Sequence, residues 1–263
     1  TRSFTPIQLA PFSENQIEGI SNNLRSVVLD YNFDTFTFIF ELLDLAKKDG
    51  IDIKKAFTSL KINSFELADK YKGTNCAGLS AILKKKLDLF GIDTRIVPAY
   101  GNYMISRSAD EYVQIRTTGL IGLFLSLENV RTPVFLAPGL TVDKPILLAK
   151  GNRVESYRNN FVVSEVNTQE FHIVAIRQSG EDIRREFKFE EVSNLDTSLQ
   201  LNLFRCRTKY QITRQYEDGS QNFIKFDFTQ RKFRIKIDGE EFTMDMEEFK
   251  NFLPKDKARE LLN

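Results

Sequence analysis

The sequence predicts an α+β protein in which a helical N-terminal part precedes a series of antiparallel strands. Apolar residues recur with helical spacing as far as residue 91, and from Ile92 onward they form short runs rich in β-branched and aromatic residues. A chain of 263 residues that is 41% hydrophobic can also enclose a substantial core. The order of these patterns favours an N-terminal helical bundle, a central antiparallel β-barrel or sheet, and a C-terminal β-rich region with terminal helices.

Four helical segments are expected in the first part. Ser13 and Gln16 form a capping box that begins the first helix, and Asp34 precedes a second apolar segment that Gly50 ends. A short helix is expected over residues 64–71. The fourth begins at Cys76, carries an apolar stripe and ends at Gly91.

The strands are predicted from short β-rich runs separated by turn residues. These runs cover residues 95–97, 112–115, 133–136, 161–166, 171–176, 201–216, 223–228 and 233–237. Asp218-Gly219 and Asp238-Gly239 are typical hairpin turns, and two short helices are expected over 246–252 and 255–262. No Ser/Gly/Pro-rich linker interrupts the chain, so the expected units, 1–91, 92–195 and 196–263, share packed surfaces.

Composition excludes several classes of function. A net charge of +1 gives no basic face for nucleic acid. The two cysteines, Cys76 and Cys206, and the single His are too far apart for a structural zinc site, so no metal is expected. The longest uncharged apolar run, 119–127, is about half the length of a membrane-spanning helix. The lack of targeting signals and of a disulfide framework predicts a cytoplasmic protein.

Cys76 is the residue that most strongly indicates chemistry. It follows Gly73, Thr74 and Asn75 at the start of a predicted helix, where the helix dipole favours a thiolate and hence a nucleophile. Such a thiolate could form an acyl-enzyme intermediate. The alternative is a small buried hydrophobic residue, since free cysteines are commonly buried.

Several short motifs resemble those of the arylamine N-acetyltransferases. The run 72–76 (KGTNC) is similar to the family's Arg-Gly-Gly-x-Cys nucleophile motif, and 135–140 (FLAPGL) resembles its strand ending Val-Asp-Val-Gly-Phe. Runs 186–189 and 202–204 are similar to its aromatic "Tyr-x-Phe … Ser-x-Phe" region, and Asp238-Gly239, Glu247 and Leu253 fall in the place of its C-terminal "Gly … Glu … Leu" pattern.

The resemblance implies a helical bundle, a β-barrel and a C-terminal lid, together with a Cys-His-Asp triad that carries an acetyl group from coenzyme A to an amine. Only the cysteine of that triad is present, as Cys76. The family's Asp position falls on Ala137, and its His position is expected near Glu111 and Tyr112, where no His occurs. An imidazole matters because it removes the thiol proton and later returns it to the leaving group.

Other residues could in principle replace the missing base. Asp110 and Glu111 are carboxylates near the expected His position, but a carboxylate beside a thiolate repels it, and a solvated turn is the simpler interpretation. Tyr112 is more simply a strand aromatic. His172 lies far downstream, in a run that is typical of a strand whose His faces solvent.

Three functions therefore remain open at the level of sequence. The first is an acetyltransferase-like protein that binds an acyl thioester, such as acetyl-coenzyme A or a carrier-bound acyl chain, and is catalytically degenerate. The second is an active acyltransferase or amide synthase that forms an acyl-Cys76 intermediate with an unusual base, with a small amine or an acyl carrier as substrate. The third is a non-enzymatic interaction module on the same fold. No permanently bound cofactor is expected, and the oligomeric state does not follow from the sequence.

Overall fold

The computed structural model describes residues 13–36, 44–52, 55, 68, 70–108, 111–127, 133–157, 159–177, 182–188, 209–227 and 230–252. These residues form a mixed α+β structure. Its helices include α1 (Glu14–Asp30), α2 (Cys76–Asp88) and α3 (Met246–Phe252), with a 3-10 helix at Pro138–Leu140. Residues 44–49 are also helical, and this helix ends as predicted at Gly50, whose φ is 59°. Its strands are β1 (Asn32–Asp34), β2 (Gly73–Thr74), β3 (Arg95–Ser108), β4 (Glu111–Leu127), β5 (Val134–Leu136), β6 (Ile146–Leu147), β7 (Arg153–Glu155), β8 (Asn159–Val166), β9 (Glu170–Arg177), β10 (Asp182–Lys188), β11 (Lys209–Gln215), β12 (Gln221–Asp227), β13 (Lys232–Ile237) and β14 (Glu240–Asp245).

Local signals in the sequence place the helices as expected. The Ser13 side chain accepts a hydrogen bond from the Gln16 backbone amide, and the Ser13 amide donates to the Gln16 side chain over 3.0 Å, which confirms the capping box. α1 buries its apolar stripe of Ile20, Leu24, Val27 and Val28. α3 has the predicted bounds. The second half of the strand run predicted over 201–216 is β11, whereas 201–208 and the helix predicted over 255–262 lie outside the described residues.

An eight-stranded sheet forms the centre of the molecule. Its strand order is β6-β5-β4-β3-β10-β9-β8-β7, and every neighbouring pair is antiparallel. Among the described strands, β6 and β7 each have one neighbour, so the sheet is open and barrel closure is not confirmed. The apolar run 119–127 is the second half of β4, and its last residues are buried.

A six-stranded sheet joins the N-terminal and C-terminal parts of the chain. Its order is β14-β13-β12-β11-β1-β2, with Phe33 of β1 paired to Thr213 of β11 on one side and to Thr74 of β2 on the other. Sequence reasoning assigned residues up to 91 to helices, and β1 and β2 were not expected. Asp34 ends a strand, and its side chain accepts a hydrogen bond from the Phe36 amide. Residues 37–43 lie outside the described residues.

Two hydrophobic clusters formed by described residues hold these elements together. The larger one includes residues of α1, α2, β4 and β5, and its aromatic centre is formed by Phe124, Phe135, Phe171 and Phe187, whose ring centroids lie 4.6–5.5 Å apart. The smaller cluster lies between the six-stranded sheet and α3. Within the described residues, no helix is long and apolar enough to cross a bilayer.

Candidate functional site

Cys76 is the first residue of α2, where the structure confirms the predicted cap. The Asn75 side chain accepts a hydrogen bond of 3.0 Å from the Gly78 amide, and the Asn75 carbonyl accepts from the Leu79 amide over 2.9 Å. Asn75 is itself buried, so these bonds satisfy donors that water does not reach. Cys76 is only 3% exposed and forms no disulfide.

Removal of this cap is expected to destabilise the protein. Asn75→Ala leaves the buried Gly78 amide without its partner, so we expect a loss of about 1–2 kcal/mol in the free energy of unfolding. Urea denaturation followed by circular dichroism measures this change. Ser13→Ala removes an exposed cap of α1 and serves as the matched control, with a smaller expected loss of about 0.5–1 kcal/mol. Equal losses in the two variants would contradict the claim that burial strengthens the Asn75 cap.

The 3-10 helix that follows β5 lies directly against Cys76. A Cβ atom built on Gly139 would be 2.6 Å from the Cys76 Cβ and 2.9 Å from the Cys76 Cα, which is closer than real Cβ contacts. The same position is 3.4 Å from the ring of Phe124 in β4. Only a glycine therefore allows this backbone to approach so closely, and the approach encloses the cysteine between α2, β4 and the 3-10 helix.

Ala137 begins this covering turn. It is fully buried, and its carbonyl accepts hydrogen bonds from the amides of Leu140 and Val142 over 3.0 and 3.3 Å. Its side chain is a methyl group at the position where the resemblance expects an Asp. In a Cys-His-Asp triad, the Asp carboxylate orients the imidazole of the His. At the corresponding position of this turn, Ala137 provides no carboxylate.

A hydrogen-bonded cluster supports the end of the same turn. Thr141 adopts a left-handed backbone conformation with φ of 56°, and its carbonyl accepts a hydrogen bond of 3.1 Å from the Ser156 hydroxyl. That hydroxyl also lies 2.9 Å from Asp143 Oδ1. Partial burial and the negative charge of Asp143 raise the pKa of the neighbouring Tyr157. Asp143, the nearest carboxylate in sequence to Ala137, is therefore bonded to the residues that brace the turn.

Two other residues considered as replacements, Glu111 and Tyr112, lie elsewhere, and Asp110 is outside the described residues. Glu111 and Tyr112 begin β4, whereas the part of β4 beside Cys76 is at Phe124, twelve residues beyond Tyr112. Strands rise about 3.3 Å per residue, so about 40 Å of strand separates Tyr112 from Phe124. The structure places Ala137 close to Cys76 and places Glu111 and Tyr112 at the opposite end of β4.

His172 lies in a different environment again. It is in β9, three strands from β4 in the sheet, and its neighbours Phe171 and Ile173 face the core while its own side chain is on the other face. Its Nδ1 is 3.3 Å from a Glu165 carboxylate oxygen and its Nε2 is 3.3 Å from Glu170. The single His of the sequence is thus held by carboxylates on the sheet face away from the Phe171 core.

Sequence reasoning missed the role of Gly139. The signal was the Pro138-Gly139 pair, which is typical of a tight turn, but a turn signal gives no information about which distant residue the backbone approaches. Two lysines of α2 contact neighbouring parts of the chain. The Lys84 ammonium donates to the Thr94 carbonyl and to Asp88, and the Lys86 ammonium donates to the Ser26 hydroxyl.

Cys206 lies outside the described residues, and the described residues contain no group of three or more side chains suited to a metal ion.

Comparison with known proteins relates this architecture to one set of solved structures. No family model matches the sequence, and no curated protein matches it either. The fold is similar to Mycobacterium smegmatis arylamine N-acetyltransferase, with a TM-score of 0.61 and 11% identity over 94% of this chain and 86% of that one. For Mycobacterium marinum arylamine N-acetyltransferase in complex with CoA, the TM-score is 0.59 and the identity 12%, over 94% of this chain and 90% of that one. For the Salmonella typhimurium arylamine N-acetyltransferase, the TM-score is 0.57 and the identity 13%, over 94% of this chain and 86% of that one. The chain therefore has the fold of the arylamine N-acetyltransferases.

Proposed function

We propose that this chain is an arylamine N-acetyltransferase-like protein that binds an acyl thioester but does not transfer the acyl group efficiently. The observation that carries the proposal is the closure of the nucleophile position. Cys76 is 3% exposed, and the backbone of Gly139 lies close to its Cβ, which supports a sulfur that is closed to an acyl donor. Cys76 is then a retained residue of the fold rather than an operating nucleophile.

The missing acid–base groups support the same conclusion. A cysteine acyltransferase needs a group that accepts the thiol proton and later protonates the leaving group. The single His of the sequence is on β9 between Glu165 and Glu170, and the position expected for the Asp is the buried methyl group of Ala137. General acid–base catalysis contributes about 10²–10⁴-fold to such reactions, so its loss alone makes turnover slow.

The proposal that the ligand is an acyl thioester, such as acetyl-coenzyme A, rests on the fold. Mycobacterium marinum arylamine N-acetyltransferase, which has a similar fold, forms a complex with CoA, and its name gives an arylamine as the acceptor. The small-molecule amine, the carrier-bound acyl chain and the cytoplasmic location all belong to this proposal. A second candidate, a non-enzymatic interaction module, is favoured by the burial of Cys76, which needs no ligand to explain it.

Calorimetric titration with CoA and acetyl-CoA, beside an acetyl-transfer assay with an aniline acceptor, tests the proposal. We expect saturable binding. The dissociation constant of Cys76→Ala should lie within about twofold of that of the original chain, because the proposed affinity does not depend on a covalent bond. We expect no Cys76-dependent transfer above the uncatalysed rate. Rapid transfer that disappears in Cys76→Ala would establish the active enzyme. Absence of both binding and transfer would leave the interaction module.

A further inference from the structure

The edge of the six-stranded sheet has features of a binding surface. Among the described strands, β14 pairs with β13 alone. In an antiparallel edge strand, about half of the backbone N–H and C=O groups point away from the sheet, where an additional strand can pair with them. Residues Glu240, Glu241, Thr243 and Asp245 of β14 are exposed.

The two faces of β14 differ in chemistry. Phe242 and Met244 face α3, where Phe252 packs on Phe242 with ring centroids 5.2 Å apart and Phe249 stacks on Phe233 at 3.8 Å. Glu241, Thr243 and Asp245 alternate with them and therefore lie on the opposite face. An added strand would thus meet an apolar face on one side and an acidic face on the other.

A groove of about 480 Å³ lies along this edge and is lined by residues from both faces of β14 and by α3. It remains open although aromatic side chains line it, and Phe252 is 38% exposed. Met246, at the start of α3, is 42% exposed. The residues that line the groove are Glu241, Phe242, Thr243, Met244, Glu248 and Phe252. The groove therefore places the aromatic side chains of Phe242 and Phe252 among carboxylates, directly beside the outer edge of β14.

The charge pattern across the sheet indicates which strand would fit. On the exposed face, Lys232 of β13 pairs with Asp245 of β14 and Lys236 pairs with Glu241, while Arg234 forms an ion pair with Glu241. Residues 240–252 contain five carboxylates and a single lysine. Because opposite charges on neighbouring strands attract, the acidic β14 favours a basic strand on its free side as it does on its β13 side.

We propose that the edge of β14 and the adjoining groove form a docking surface for an extended segment of a partner protein in which basic and apolar residues alternate. The segment adds to the sheet as a strand. Its basic side chains lie opposite Glu241 and beside Asp245, whose carboxylate also accepts hydrogen bonds from the Glu247 and Glu248 amides at the start of α3. Its apolar side chains lie in the groove against the packed pair Phe242 and Phe252. This proposal does not depend on acyl-thioester binding at the Cys76 site.

The charges also argue against a second copy of this chain as the occupant. If two β14 strands paired about a twofold axis, carboxylates of one copy would face carboxylates of the other, and directly opposed like charges destabilise a strand pair. Charged edge residues commonly prevent such self-association. They do not exclude a basic strand, for which the same carboxylates are partners.

A labelled peptide with the sequence of residues 231–238 (RKFRIKID) is the probe, since β13 already shows that this alternation pairs with β14. We expect saturable binding to the full chain by fluorescence polarisation, and about tenfold weaker binding of a scrambled peptide of the same composition. Phe252→Ala and Glu241→Gln should each weaken binding about fivefold or more. Glu155→Gln, at the exposed edge strand β7 of the other sheet, is the matched control and should leave binding unchanged.

Amide hydrogen exchange of the unmodified chain provides a readout that does not depend on the folding of variants. We expect residues 240–245 to gain protection when the peptide is bound, with no change at β7. Saturation together with this local protection supports the proposal. Lack of binding, equal binding of the scrambled peptide, or protection elsewhere in place of β14 would each overturn it.

Discussion

Ala137→Asp is expected to destabilise the protein by about 3–5 kcal/mol, which is the cost of an uncompensated buried charge. The substitution restores the carboxylate that the resemblance expects, but Ala137 is fully buried at the start of the turn over Cys76. The free energy of unfolding from urea denaturation near neutral pH measures the loss.

The pH dependence of this variant distinguishes charge from size. Burial raises the pKa of the new carboxyl above its value of about 4 in the unfolded chain. As the pH rises above that value, the unfolded chain releases the proton while the folded chain retains it, so stability falls with rising pH. We therefore expect the loss to shrink near pH 4. Ala137→Asn is the uncharged control, and its loss should not follow this pH dependence. A stable Ala137→Asp protein would show that the site accommodates a triad carboxylate.

Gly139→Ala has the second-largest expected effect. Its new methyl group would meet the Cys76 Cβ at 2.6 Å and the backbone Cα at 2.9 Å, so the 3-10 helix or the start of α2 must shift. Forced insertion of a methyl group into a packed site costs about 1–3 kcal/mol. Thermal unfolding measures the lowered stability. The same shift would open the contact over Cys76, so we expect faster reaction of its thiol with iodoacetamide.

Gly19→Ala is the control for this variant. Gly19 lies within α1, and a Cβ atom there would meet only the Phe90 ring at 4.0 Å. Because alanine is the better helix former, Gly19→Ala should stabilise the protein by about 0.5–1 kcal/mol. A Gly139→Ala protein as stable as the original would contradict the close packing of the turn on Cys76.

The sequence predicted those features whose signals are local. The Ser13 capping box, the Asn75 cap before Cys76 and the bounds of α3 each depend on residues within a few positions of one another. The turn at Asp238-Gly239 is of the same kind, with positive φ at both residues.

Features that depend on distant residues could not be predicted. β1 and β2 contain three and two residues. β1 is a strand because it pairs with β11, far along the chain, and β2 is a strand because it pairs with β1. The contact of Gly139 with Cys76 and the position of Glu111 at the far end of β4 depend likewise on how long strands pack against α2. No local residue pattern contains that information.

Intact-protein mass spectrometry is the most direct test of whether Cys76 is enclosed and without a base. The native chain and Cys76→Ala are incubated with acetyl-CoA, and the native chain is also treated with iodoacetamide before and after denaturation. We predict no Cys76-dependent acetyl adduct and alkylation of this thiol only after denaturation, because the residue is 3% exposed beneath Gly139. One acetyl group on the native chain that is absent from Cys76→Ala would contradict the account and establish Cys76 as a working nucleophile.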